Sequence, residues 1–298
     1  MNNANAVKKT GEQLGLSFFK DELFYEFHPR IYEGDKWKVF VNEQNDFAVI
    51  YPKLEVNYSA YVPRSQKFGI KDSKLQIVYL NNRIDKINFF LQEKKLNPSS
   101  ILEIGANDGT FLKLLSNEFF GVQFCGVELS ASHRKLAHEK DLMIYKKIED
   151  CRQRSFDVIC MFHTFEHFTN PVTALGEMRK FLSKKGIFII EIPSLTDPLL
   201  SVYGIEAFKD FYFQTQHPFV YSSSSLSKLL EGAGYDKITI LPFQRYGLAN
   251  HMNWLKNNKL GALPFIAEHF TFIDREYRKK LEELGKTDTI FACFRPKK

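Results

Sequence analysis

Ile101-Leu102-Glu103-Ile104-Gly105-Ala106-Asn107-Asp108-Gly109-Thr110-Phe111-Leu112 carries the fold of this 298-residue chain. Its first four residues form a short, largely apolar strand, the next five a glycine-bearing turn, and Thr110 opens a helix. A strand that ends in such a turn lets backbone approach a ligand lying across the strand ends. Outward from it, strand and helix patterns alternate. Strands are expected at Gln123–Glu128, Met143–Tyr145, Phe156–Phe162, Ile187–Ile192, Ile238–Leu241 and Thr289–Phe294, and helices at Thr110–Ser116, Ala131–Lys140, Val172–Leu182 and Ser224–Glu231. That alternation predicts an α/β domain around a mostly parallel sheet. Residues 194–223 and 243–285 are too long for plain turns and read as insertions.

Upstream, Trp37–Val41 and Phe47–Tyr51 flank Asn45-Asp46 as a hairpin, and Lys53–Lys71 is irregular. Leu75–Leu91 places Ile77, Leu80, Ile84, Ile87 and Leu91 on one helical face, and Asn97-Pro98-Ser99 stops that helix. Met1–Thr10 reads as a loose start. The chain therefore divides into a small N-terminal, substrate-side region at 1–97 and a cofactor-binding domain at 98–298.

Composition narrows the field. Apolar residues at 44% and charged residues at 26% exclude wholesale disorder. No apolar run is long enough for a membrane span, and polar Met1–Leu14 lacks a secretory h-region, so a cytoplasmic location is expected. Cys125, Cys151, Cys160 and Cys293 form no CxxC, which disfavours a zinc site or a disulfide framework. The net charge of +6 is spread along the chain, favouring anionic small ligands over bulk nucleic acid.

The turn discriminates between cofactors. A dinucleotide fingerprint wants glycine at positions one, three and six, whereas Asn107 and Thr110 hold the last two. A pyrophosphate would be repelled by Glu103, but an amino-acid ammonium would be attracted. Glu128, closing the next strand, can accept hydrogen bonds from both hydroxyls of a ribose. An acid, a glycine turn and a ribose acid in register describe S-adenosylmethionine better than NAD or FAD.

On these residues the chain from about Ile101 to Pro193 resembles a class I S-adenosylmethionine-dependent methyltransferase. Glu103-Ile104-Gly105-Ala106-Asn107-Asp108-Gly109 matches the first motif of that family and Ser155–His167 its fourth-strand segment. Leu182-Ser183-Lys184-Lys185-Gly186 resembles its turn before strand five. The resemblance implies a Rossmann-like fold: a seven-stranded, mostly parallel sheet with an antiparallel last strand. It implies cofactor contacts at Glu103, Gly105, Ala106, Asn107, Gly109, Glu128, Leu129 and Ser130, with Ile148 and Glu149 near adenine and Phe162 and His163 beside the methionine part.

The first motif is similar to that of nucleotide-sugar C-methyltransferases, and that likeness extends further. Asn57-Tyr58-Ser59-Ala60-Tyr61 resembles their tyrosine segment, which gives Tyr58 and Tyr61 as candidate catalytic residues. Phe213–Ser222 resembles the stretch with their Glu-His pair and makes His217 the candidate base, with His163 a further candidate. The Glu of that pair is Gln216 here, and no cysteine precedes Cys125 to ligate their N-terminal zinc. Gln216 in the first insertion is a substrate-binding candidate, and in the second Arg245 could hold a diphosphate while Asn250 or His251 could bond sugar hydroxyls.

The expected activity is methyl transfer to a sugar, on oxygen or carbon, with the sugar nucleotide-linked or in a glycan precursor. A non-sugar small-molecule acceptor and a non-catalytic cofactor-binding subunit are the alternatives. Nucleic-acid methylation is disfavoured: Phe162-His163-Thr164 replaces an Asn/Asp-Pro-Pro-aromatic turn, and no Pro-Cys supplies a nucleophile. The spacing of His163 and His167 occurs commonly without an ion, and no metal is expected. Oligomeric state is not legible.

Overall fold

The computed structural model describes residues 8–54 and 73–297, the side chains of 73–78 excepted. Two compact units emerge. One gathers Met1–Val56, Phe165–Ala174 and Glu191–Ala292; the other gathers Asn57–Thr164, Leu175–Ile190 and Cys293–Lys298. Neither unit is one continuous stretch of chain, and strands distant in sequence pair within the first of them.

That first unit contains a five-stranded sheet made of β1 (Lys8–Thr10), β2 (Leu23–His28), β3 (Lys38–Asn42), β4 (Phe47–Tyr51) and β10 (Phe219–Tyr221), in that spatial order. The expected hairpin is β3–β4, with Val39 opposite Ile50 and Val41 opposite Ala48. Lys8–Thr10 is a strand rather than a loose start: it pairs antiparallel with β2, Lys9 opposite Phe24. Strand β10 comes from the first insertion and pairs antiparallel with β4. Alternation fills the core beneath, where Val39, Val41, Ala48, Ile50 and Val220 pack with Leu199, Phe213 and Trp254.

The seven-stranded sheet comprises β5 (Ser100–Ile104), β6 (Gln123–Val127), β7 (Ile144–Tyr145), β8 (Phe156–Phe162), β9 (Leu182–Pro193), β11 (Tyr235–Phe243) and β12 (Thr289–Pro296). Its spatial order is β11-β12-β9-β8-β5-β6-β7, so the last strand of the chain lies between β9 and β11. It is mostly parallel with one antiparallel strand, and β5 pairs parallel with β6 on one side and β8 on the other. All five residues of β5 are buried, as expected of a central parallel strand. The direction of winding reverses at β5, and in open α/β sheets ligands bind outside the carboxyl end of such a strand.

One boundary differs from the expectation. Leu182–Gly186 belongs to β9 instead of forming a turn before it. Exposed Lys184 and Lys185 gave these residues a turn-like composition, yet a Cβ on Gly186 would sit 3.0 Å from the Phe156 carbonyl, so glycine allows close strand contact there.

Helix α1 (Ser73–Lys94) buries Leu80, Ile84, Ile87 and Leu91, each 7% exposed or less. Burial of this kind contributes about 1.5–3 kcal/mol per side chain. Helix α2 (Thr110–Glu118) follows β5, and α3 (Ala131–His138) follows β6. Among the described residues no helix is long and apolar enough to cross a membrane.

Candidate functional site

The turn after β5 is built from left-handed backbone. Gly105, Asn107 and Gly109 have φ of 81°, 50° and 75°, a region that costs little only for glycine and, to a lesser degree, asparagine. Gly105 and Ala106 donate their backbone N–H groups to the Val127 carbonyl at 2.8 and 3.0 Å, locking the turn to the end of β6. Asp108 braces its far side: Lys140 Nζ donates to its carboxylate and to its carbonyl, each at 2.8 Å. Burial opposes ionisation of Asp108, but the hydrogen bonds of Lys140 and Thr110 hold its pKa below the usual value.

Glycine at 105 is needed for a second reason. A Cβ there would lie 2.1 Å from Thr164 Oγ1 and 2.9 Å from its Cγ2. Gly105→Ala therefore combines a left-handed penalty of about 1–2 kcal/mol with a clash against the turn after β8. A fall of several degrees in the thermal midpoint is expected, and an unchanged midpoint would show that Thr164 gives way freely.

Two carboxylates flank the turn. Glu128 Oε2 accepts from Asn107 N–H at 3.0 Å and Oε1 from Ser130 N–H at 2.8 Å. Each oxygen is fixed by one backbone donor and retains further acceptor capacity. Ser130 in turn caps α3, and Leu129 is exposed beside it. Glu103 is 3% exposed, and its Oε2 makes no hydrogen bond among the described residues. Burial pushes its pKa up to about 8 against the opposing pull of Arg83.

Arg83, on α1, was not visible as a site residue in sequence. Its guanidinium lies 4.7 Å from the ring centre of Tyr79 and 4.8 Å from that of Phe162, a cation–π sandwich beside Glu103. Tyr79 Oη lies 3.0 Å from His163 Nε2. His163 has φ of 49°, an uncommon conformation for a non-glycine residue that the surrounding turn must enforce. Ile148 is buried and Glu149 exposed on the 3₁₀ turn Ile148–Asp150. The unit thus brings every sequence-expected cofactor residue onto the carboxyl ends of β5, β6 and β8 or the loops that follow β6 and β7.

The other candidates lie in the first unit. Glu166 and His167 form the 3₁₀ turn Phe165–His167, and His167 Nδ1 donates to the Gln216 carbonyl at 2.8 Å. The rings of His167 and His217 are 4.9 Å apart, and Gln214 Nε2 lies 3.1 Å from both ring nitrogens of His217. Gln216 therefore contributes its backbone carbonyl to this cluster.

Arg245, Asn250 and His251 sit in an internal polar network. Asp288 accepts from the backbone N–H of Arg245 at 3.1 Å, of Tyr246 at 2.9 Å, and from Gln244 Nε2 at 2.9 Å. Burial raises the pKa of Glu191 to about 8 while Arg245 pulls the other way, so the guanidinium balances Glu191 and Asp288. Asn250 Nδ2 donates to the Gly261 carbonyl at 2.9 Å. His251, 1% exposed, lies 2.6 Å through Nδ1 from Tyr277 Oη, and burial pushes its pKa down to about 4, keeping it neutral. These partners were hidden because Asp288 and Tyr277 are distant in sequence. Tyr58 and Tyr61 lie outside the described residues.

Comparison with known proteins adds the following. Residues 78–240 match a family described as a methyltransferase domain. A lysine–tRNA ligase of Ureaplasma parvum is 31% identical over 137 residues, covering 45% of this chain and 27% of the ligase. The match thus spans about a quarter of the length of that curated relative. Among solved structures, a SAM-dependent methyltransferase from Archaeoglobus fulgidus is 17% identical, covers 72% of this chain and 94% of its own, and has a TM-score of 0.48. A plantazolicin methyltransferase, BpumL, in complex with SAH is 18% identical over 78% of this chain and 93% of its own, with a TM-score of 0.45.

Proposed function

Because the chain belongs to the methyltransferase-domain family, we propose that it transfers a methyl group from S-adenosylmethionine to a sugar, nucleotide-linked or in a glycan precursor. The observation that carries the donor is the buried Glu103 Oε2, an acceptor with no hydrogen bond among the described residues, beside a glycine turn whose other flank is Glu128. A buried carboxylate oxygen in that state is stabilised by a cationic donor, and the ammonium of the methionine part is one.

Glu103 holds that ammonium, and Glu128, oriented by Asn107 and Ser130, accepts from the ribose hydroxyls. Gly105 and Ala106 keep the turn low enough for close approach. Ile148 supplies an apolar face and Glu149 an acceptor for adenine, and Phe162 and His163 flank the methionine part. When bound, the donor supplies an activated sulfonium methyl, so the protein must orient the acceptor and take its proton. His217 is the candidate for that proton, held against Gln214 and His167. An imidazole suits the task because its usual pKa lies near neutrality.

The test of the donor is calorimetry with S-adenosylhomocysteine at pH 7 in buffers of different ionisation heat. With a pKa of about 8, Glu103 is largely protonated in the ligand-free protein, and the ammonium favours its ionised form. Binding should release most of a proton per site. No release would remove Glu103 from the ammonium site.

A second acceptor class has its own support. Arg245 balances Glu191 and Asp288, which weakens its candidacy as a diphosphate anchor. That favours a non-nucleotide small molecule. Methyl transfer to nucleotide sugars, free glycans and phenolics, compared side by side, separates the two.

A further inference from the structure

We propose that Glu166, His167 and His217 form a binding site for one divalent transition-metal ion. Each offers a ligand atom, and these atoms all lie within 4.8 Å of one another. The site draws on two separate stretches of chain, the turn Phe165–His167 and the loop before β10, so the cluster is a product of folding rather than of local spacing. His167 is already prepared as a ligand. Its Nδ1 donates to the Gln216 carbonyl at 2.8 Å, which places the proton on that nitrogen and makes Nε2 the unprotonated nitrogen of the neutral ring.

Glu166 is 3% exposed, and a carboxylate buried to that degree ionises at least cost beside a cation. Two imidazoles and one carboxylate make a donor set for zinc, manganese, iron(II) or cobalt, whereas calcium and magnesium favour oxygen alone. Bonds of about 2.0–2.2 Å bring ligand atoms to roughly 3–3.5 Å from one another, so the widest pair must close by up to about 1.5 Å. His217 can give the ion its unprotonated ring nitrogen, in place of the hydrogen bond that nitrogen accepts from Gln214 Nε2.

The site rests on the cluster's own geometry and donor chemistry, and it shares His217 with the methyl-transfer reading. With an ion bound His217 is a ligand, and without one it can receive a proton, so its replacement removes both roles.

The experiment uses the untagged full chain, stripped with EDTA, and titrates zinc and manganese by calorimetry and cobalt(II) by visible absorption. One ion per chain is expected, with a cobalt d–d spectrum of mixed nitrogen and oxygen ligation. Glu166→Gln, which preserves side-chain shape, and His167→Ala should each weaken binding at least tenfold. His269→Ala, whose side chain is 58% exposed, should not. The absence of saturable binding overturns the proposal. So does unchanged affinity in both Glu166→Gln and His167→Ala, which would put the ion elsewhere. Loss of binding in Glu166→Gln with an unaltered thermal midpoint separates ligation from misfolding.

Discussion

Glu128→Ala should weaken S-adenosylmethionine binding about a hundredfold. Hydrogen bonds to a charged group contribute about 1.5–3 kcal/mol each, and Glu128 is proposed to accept two from the ribose. A net loss of about 3 kcal/mol corresponds to roughly a hundredfold in Kd. The carboxylate also receives Asn107 and Ser130 N–H groups at 3.0 and 2.8 Å, so the variant loosens the entrance to α3 as well as the ribose contact. Glu128→Gln helps to separate the two effects. Its single remaining oxygen should retain part of the affinity, while its amide faces a backbone donor it cannot satisfy. Calorimetry with both variants is the measurement. An alanine variant that binds as tightly as the parent would place the ribose elsewhere.

His217→Ala is expected to lower the rate of methyl transfer by about a hundredfold to a thousandfold, the usual range for a lost general base. Donor affinity should fall far less than the rate, because His217 is not among the residues proposed to hold the donor. Rate and donor Kd must be measured together. If both fall in parallel, the substitution has disturbed the protein as a whole. If neither moves, the proton goes elsewhere, and His163 is the next candidate to replace.

The turn after β5 was readable in sequence because everything that defines it is local. Glycine at 105 and 109, an acid before the turn and another closing β6 need only a count of residues. The outlines of β5, β6, β8 and α2 follow from the same local pattern, with ends shifted by a residue or two. What escaped was non-local. Arg83 belongs to a helix that looked merely amphipathic, and only the fold brings it beside Glu103 and the Phe162 ring. Thr164 matters because a Cβ at 105 would strike it. His163 and His167 suggested a pair by spacing, whereas the structure turns His163 toward Tyr79 and His167 toward His217. Arg245, Asn250 and His251 read as a cluster of side-chain donors for a substrate, since nothing near them in sequence announces Asp288, Gly261 or Tyr277 as their partners.

The pairing of β4 with β10 also bears on how the chain is assembled during synthesis. The hairpin of β3 and β4 emerges from the ribosome early, but the edge it must share with Phe219–Tyr221 stays open until most of the chain has followed. An open edge strand is sticky, and late closure of distant segments slows folding. A fragment ending at residue 97 would carry that edge permanently, so proteolytic trimming or expression of the amino-terminal third alone should yield aggregate in place of an autonomous module.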